Sequence, residues 1–223
     1  MRLRLHAGRA EPGGSWRYGD RVGPSELGRV VAAFHGGFQF ETGQSGFLAD
    51  GRVAAPLQDG LASIVTHRDG GSEVGAWREG VPAHGHPVAS VLQDLHLLVD
   101  HAAAAGSAAE CIQSCWGSTL GGGTSVARSA LGITGDGQLV WVAGERLSPA
   151  GIAQALVGAG VQRALELDIN PQWVAGYLYA HRSATPLPCP SCRARAAFTG
   201  SSSNPTRGTS SRSWRGSGGG GLG

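Results

Sequence analysis

The chain has 223 residues, 41% of them apolar, and a formal net charge of +2, a size that suits one domain, or a domain with a tail, around a sizeable core. All 18 basic residues are arginine; residues 181 to 223 hold six of them and no acid, so the first 180 residues set twelve arginines against 16 acidic residues, net −4. A mildly acidic body carries no electrostatic footprint for nucleic acid, and the absence of an 18-residue apolar run excludes a membrane-spanning helix.

Residues 2 to 7 alternate and predict a strand. The N-terminus lacks the apolar stretch of a signal peptide, and a chain that opens directly in a strand leaves room for a native start further upstream. "EPGGSW" reads as a turn. "PSELGRVVAAF" predicts a short helical turn from Ser25, then a buried strand from Val30 to Phe34. "GFLADGRVAAP" is a hairpin with Asp50-Gly51 as a type I′ turn. "LASIVTHRDGGSEVGAW" is another, around Asp69-Gly70. "VASVLQDLHLLVD" fits a helix or a strand. "ARSALGITGDGQLVWVAG" is a third hairpin, around Asp136-Gly137. "LSPAGIAQALVGAG" is the clearest helix, with Ser148 as N-cap, Pro149 at the first position and Gly158 or Gly160 as the stop. "VQRALELDIN" follows as a strand. Hairpins outnumber helices, which predicts an α+β domain over residues 1 to 180, a largely antiparallel or mixed sheet with a few packed helices. From residue 181 the composition turns to Ser, Arg and Gly, a low-complexity tail.

Several side chains carry chemistry. On "ARSALGI", alternation puts Arg128 beside Ala130 and Gly132, small neighbours that give it room to lie over the face; a solvated strand arginine is the commoner outcome. On "RALELDIN", Glu166 and Asp168 share a face while Leu165 and Leu167 point to the core. Carboxylates two residues apart on a strand sit roughly 7 Å apart, workable for acid/base chemistry on a sugar, and equally the spacing of two exposed acids. "WGSTLGGGTS" is a glycine-rich loop whose N–H groups suit an anion, without the Lys-Ser/Thr ending of a nucleotide loop. His84 and His86 in "AHGHP" have no evident third metal ligand and read as loop histidines. No Gly-x-Ser-x-Gly elbow is present, which sets aside that class of serine hydrolase. Four cysteines, Cys111 and Cys115 with Cys189 and Cys192, would make a zinc site only if both pairs met; free thiols are the simpler reading.

These pieces, in this order, resemble the phosphodiester glycosidase family, and its bacterial branch most closely, over roughly residues 3 to 180. The marks are "LHAG" with "EPGG", "AAFHGGF" followed by "GFLADGR", "PLQDGLASIV", "WGSTLGG", "RSALGI" and "ALELDIN". The resemblance implies an α+β fold with a site at the strand ends. It also implies a hydrolase that cleaves the glycosidic bond of a sugar-1-phosphodiester to free sugar and a phosphomonoester. It places Asp168, Glu166 and Arg128 as catalytic residues and His35, Gly36, Gly37, Gly121, Gly122 and Asn170 as substrate-binding ones. No cofactor and no metal are expected; the partner is a sugar-phosphate or glycan substrate. The family carries Asn where this chain has His35, and often Gly-Gly where this chain has Ile169 and Asn170, although "LDIN" is common in the bacterial branch.

Family members are commonly exported, and bacterial ones end in a strand like "SRDFFTV". A shifted reading of the codons for the tail permits such an ending, which points to a frameshift near residues 180 to 187. The alternative to an enzyme is a catalytically silent carbohydrate- or phosphate-binding relative that keeps the pocket but has lost its chemistry through His35 and the altered C-terminus.

Overall fold

The computed structural model describes residues 1–9, 11–37, 39–40, 45–117, 119 and 121–179. The tail, with its frameshift reading and with Cys189 and Cys192, lies outside the described residues.

The chain opens with α1 (Pro24–Leu27) and β1 (Ala32–Phe34). The hairpin signals then place the strands. Asp50 and Gly51 take φ of 52° and 71°, the two left-handed residues that a type I′ turn requires, and join β2 (Ser45–Ala49) to β3 (Arg52–Ala55). The Asp69-Gly70 turn joins β4 (Ala62–His67) to β5 (Ser72–Ala76). Residues 88 to 100 resolve as two strands, β6 (Val88–Asp94) and β7 (Leu97–Asp100), bent apart at Leu95 with φ of 46°. Next come the short β8 (Ala103–Ala104), α2 (Ser107–Glu110) and α3 (Ile112–Cys115). The long hairpin β9 (Val126–Thr134) and β10 (Leu139–Leu147) leads to α4 (Pro149–Gly158), β11 (Val161–Glu166) and β12 (Gly176–Leu178).

Among the described residues the named strands pair antiparallel, in two five-stranded sheets of order β3-β2-β6-β4-β5 and β10-β9-β11-β7-β8 and a separate β1-β12 ribbon. This is the α+β architecture that the hairpins predict. Helix α4 begins as predicted: Ser148 Oγ accepts the Gly151 N–H at 3.1 Å and Pro149 occupies the first turn, while Gly160 with φ of 80° lets the chain leave the helix. Its Ile152, Ala153 and Leu156 pack on Leu98, Ala130, Val161 and Ala164 of the second sheet. The other face of that sheet gives Leu131, Leu165 and Leu167 to Ala62, Ile64 and Val74 of the first sheet. Strands β9 and β11 are therefore covered on both sides over their central residues, Ala130 with Leu131 and Ala164 with Leu165. Each fully buried Leu, Ile or Val stabilises the fold by about 1.5–3 kcal/mol. Among the described residues no helix is long and apolar enough to cross a membrane.

Strands β9 and β11 approach closely at Gly132. A Cβ there would run into Val161 and lie 3.1 Å from the Ala164 methyl and the Arg163 carbonyl. Gly132→Ala is expected to lower stability by about 1–3 kcal/mol through overpacking, read as a lower denaturation midpoint. An unchanged midpoint would show that the two strands can part at no cost.

Three expectations change. Residues 2 to 7 do not form a strand; Leu3, Leu5 and Ala7 reach the apolar clusters, but the segment ties to the body by hydrogen bonds such as Ala7 N–H to Tyr18 O at 2.9 Å rather than by a ladder. Only Ala32–Phe34 of the predicted buried strand is extended, and it is exposed or half-buried because its partner is β12 and not a main sheet. Cys111 and Cys115 are not free thiols: they are joined in a disulfide, the four-residue spacing across α3 bringing their Cα atoms to 5.4 Å.

Candidate active site

The site forms where β11 runs out. Ala130 faces Glu166 and Leu131 faces Leu165 across the β9-β11 ladder. The pairing continues beyond the strand: Leu167 N–H donates to Ser129 O at 2.8 Å, and Ser129 N–H donates to Asp168 O at 2.9 Å. Ser129 Oγ also accepts the Asp168 N–H at 3.2 Å. In this register Arg128 lies opposite Asp168 and diagonal to Glu166, within reach of a long side chain.

The guanidinium takes the diagonal. Arg128 Nη1 is 2.5 Å from Glu166 Oε1 and also donates to the Trp116 carbonyl at 3.1 Å, while Nε donates to the Leu147 carbonyl at 3.0 Å. The two side chains are 1% and 0% exposed, so neither the solvated arginine nor the exposed acid describes this chain. Arg128 Nη2 and Glu166 Oε2 are buried without a hydrogen-bond partner among the described residues. Burial pushes the Glu166 carboxyl up to about 7; the attraction of Arg128 opposes this without cancelling it, and the charge of Asp168 adds to the rise.

Asp168 is held at both oxygens. Oδ1 accepts the Asn170 N–H at 2.7 Å, and Oδ2 lies 2.9 Å from His35 Nδ1. Its side chain is 8% exposed and that of His35 41%. His35 follows β1 directly. Its N–H donates to the Ala175 carbonyl at 3.0 Å, and its ring lies 5.6 Å from that of Trp173. Phe34 stacks on Trp141 at 5.9 Å, and Gly176 leaves no room for a Cβ against the same indole, so the ribbon is seated on β10. Asn170 starts the turn that brings Trp173 round, its carbonyl accepting the Trp173 N–H at 2.8 Å.

The double glycine after His35 now has a physical reason. A Cβ on Gly36 would lie 3.3 Å from Leu92, and one on Gly37 would lie 2.7 Å from Asp94 Oδ2, at a φ of 137° that disfavours any side chain. The backbone passes over the end of β6 with no space to spare.

His35, Asp168 and Asn170 thus meet, and Arg128 meets Glu166 beneath them. Gly121 and Gly122 are exposed, with φ of 85° and 68°, and the hydrogen bonds of their loop run to Gln113 and Thr119 of the same segment. Trp116, the first residue of that segment, reaches the site, its carbonyl receiving Arg128. His84 and His86 sit in an exposed loop, His86 against Asp69 at 2.9 Å. Among the described residues no group of three or more His, Cys, Asp or Glu is placed to hold a metal ion. An open cleft of about 400 Å³ lies alongside, with Ala127, the neighbour of Arg128, and Pro171, the neighbour of Asn170, in its walls together with Ser125 and Arg146.

Sequence reasoning missed Ser129, Trp173 and Asp94. Ser129 is a hydroxyl on the apolar face of β9, a mismatch in pattern that marks a buried polar contact. Asp94 ends an apolar strand and is 1% exposed. Trp173 carries no local signal.

An antiparallel α+β sandwich with a buried charged pair and a contact between an exposed His and a buried Asp at one strand end is the class that the fold and site define. No family model and no curated protein matches the chain. Among solved structures, it is similar to the zebrafish N-acetylglucosamine-1-phosphodiester alpha-N-acetylglucosaminidase catalytic domain, auto-inhibited by its pro-peptide. The identity is 18% and the TM-score 0.47, over 66% of this chain and 53% of that one, so this chain spans about half the length of that structure.

Proposed function

We propose that the chain is a hydrolase of the phosphodiester glycosidase type, which cleaves a sugar-1-phosphodiester to a free sugar and a phosphomonoester. The observation that carries this reading is the contact of His35 with Asp168 at the end of β11; the cleft reaches the turn that follows, at Pro171 and Val174. The contact joins two of the motifs on which the family resemblance rests, "AAFHGGF" and "ALELDIN". A phosphate leaving group is a weak base, with a second pKa of roughly 6, so bond breaking needs little protonation of the leaving oxygen. It needs an activated water and a site that tolerates negative charge. Asp168 with His35 supplies the basic side of that requirement. Arg128, too buried to grip a ligand directly, contributes its positive charge from below and holds Trp116, and through it the start of the glycine-rich loop. Arg146 on the cleft wall offers a positive charge to the outgoing phosphate, with the Glu145 carboxylate on the same wall.

The silent binding relative is the second reading, and the engagement of both Asp168 oxygens favours it over a free carboxylate. The decisive test uses methyl esters of α- and β-glycosyl-1-phosphates in ¹⁸O-labelled water. Free sugar and methyl phosphate in equal amounts, with the label on the sugar, are expected. Label on the phosphate would mean P–O cleavage and a phosphodiesterase; binding without turnover would leave the silent module.

A further inference from the structure

We propose that His35 is the group that accepts the proton in this site, and that Asp168 is the positioning carboxylate that orients it. The proposal rests on the hydrolytic reading above and assigns its proton transfer. Asp168 as a carboxylate only accepts hydrogen bonds, so the 2.9 Å contact places the imidazole proton on Nδ1 and leaves the lone pair on Nε2. The His35 backbone is fixed by its N–H bond to the Ala175 carbonyl, and the Trp173 ring lies 5.6 Å from the imidazole. Asp168 is nearly covered and both its oxygens are engaged, whereas two-fifths of the His35 side chain is open to solvent. The base that a water molecule can reach is therefore the imidazole.

The step balances simply. The water oxygen bonds to the anomeric carbon as the carbon–oxygen bond to phosphate breaks. The phosphomonoester leaves with that electron pair, and the water proton passes to Nε2. The imidazolium then shares its Nδ1 proton contact with Asp168 and releases the Nε2 proton to solvent. An amide at position 35, the residue usual in the family that the chain resembles, could orient a substrate but could not take that proton. The charged groups around the ring are Asp168 from the end of β11, Asp94 from the end of β6 behind Gly37, and the Arg128–Glu166 pair next to Asp168.

The test is the pH profile of kcat/KM, from about pH 5 to about pH 8, for wild type, His35→Gln and His35→Asn on a methyl glycosyl-1-phosphate. The imidazole nitrogens of the full chain are followed by ¹⁵N NMR alongside. Wild type is expected to lose activity on the acid side, and each variant to fall by about 100-fold or more and lose that acid limb. The Nδ1–H form is expected in wild type. An active wild type whose variants keep both rate and limb overturns the role of His35 alone, as does an Nε2–H imidazole in the active protein. A wild type that hydrolyses no diester fails the hydrolytic reading itself, and the proton-accepting role falls with it.

Discussion

Asp168→Asn is expected to remove the proposed hydrolysis almost entirely, by about two to four orders of magnitude in kcat/KM, with the fold intact. The reason lies in the two contacts of the carboxylate. Oδ1 accepts from Asn170 and Oδ2 from His35. An amide has one acceptor and one donor end. If its oxygen keeps the Asn170 N–H, its NH₂ faces His35 Nδ1 and forces the proton to the other ring nitrogen, which is the one the reaction needs free. If the amide turns round, its NH₂ meets the Asn170 N–H instead. The backbone of residue 168 stays anchored, because its N–H and carbonyl bond to Ser129 and not to its own side chain. Stability should therefore change far less than rate, with thermal denaturation as the control. A variant that keeps its rate would remove Asp168 from the mechanism.

The sheets were legible because their signals are local. Asp50-Gly51 needs no tertiary information to specify a turn, and Ser148-Pro149 needs none to start α4. The alternation on β9 and β11 assigned Ala130 and Ala164 to one face and Leu131 and Leu165 to the other, and the two faces bury separate clusters. What alternation could not supply was what lies above each face. Arg128 and Glu166 read as exposed or half-exposed because alternation along a strand does not show what packs over its face, here α4 with Trp116. The same gap hid their pairing: each residue was visible on its own strand, but the register that sets them diagonal depends on how β9 and β11 align. Residues 2 to 7 show the converse error, since alternation recorded burial correctly and a ladder wrongly.

The site was legible in its members more than in its geometry. His35 and Asp168 lie 133 positions apart in the chain, and no spacing rule connects them. The resemblance implies substrate binding for Gly36 and Gly37; what the structure shows close to them is Leu92 and Asp94, side chains of β6. The glycine-rich loop pointed to an anion site by composition alone. Among the described residues it meets the site through the Trp116 carbonyl, which receives Arg128, a contact that no spacing in the sequence announces.

Arg128→Met is expected to cost about 3–5 kcal/mol near neutral pH, a larger loss of stability than overpacking at Gly132 would bring. It leaves Glu166 buried without its ion pair and strands the Trp116 and Leu147 carbonyls, and methionine fills the volume without replacing a donor. The sign of the pH dependence follows from Glu166. Its carboxyl titrates at about 7 in the folded chain against 4.5 as the ordinary value, so the folded state keeps a proton that the unfolded state has released. The stability this contributes is complete below about 4.5 and is lost as pH rises through about 7, a span of about 3 kcal/mol. Removing Arg128 takes away the influence that lowers the Glu166 value, so Glu166 holds its proton to higher pH. The cost of Arg128→Met should therefore be smaller at about pH 5, where Glu166 is already neutral, than at about pH 8. Glu166→Gln should flatten the pH dependence of the wild type, and the double variant should recover part of the loss, because the second change removes the charge that the first left unpaired. Guanidinium denaturation of the four proteins at both pH values measures all of this. A cost for Arg128→Met that is equal at both pH values would mean that Glu166 does not titrate between them, and that the pair stays ionised in the folded chain throughout.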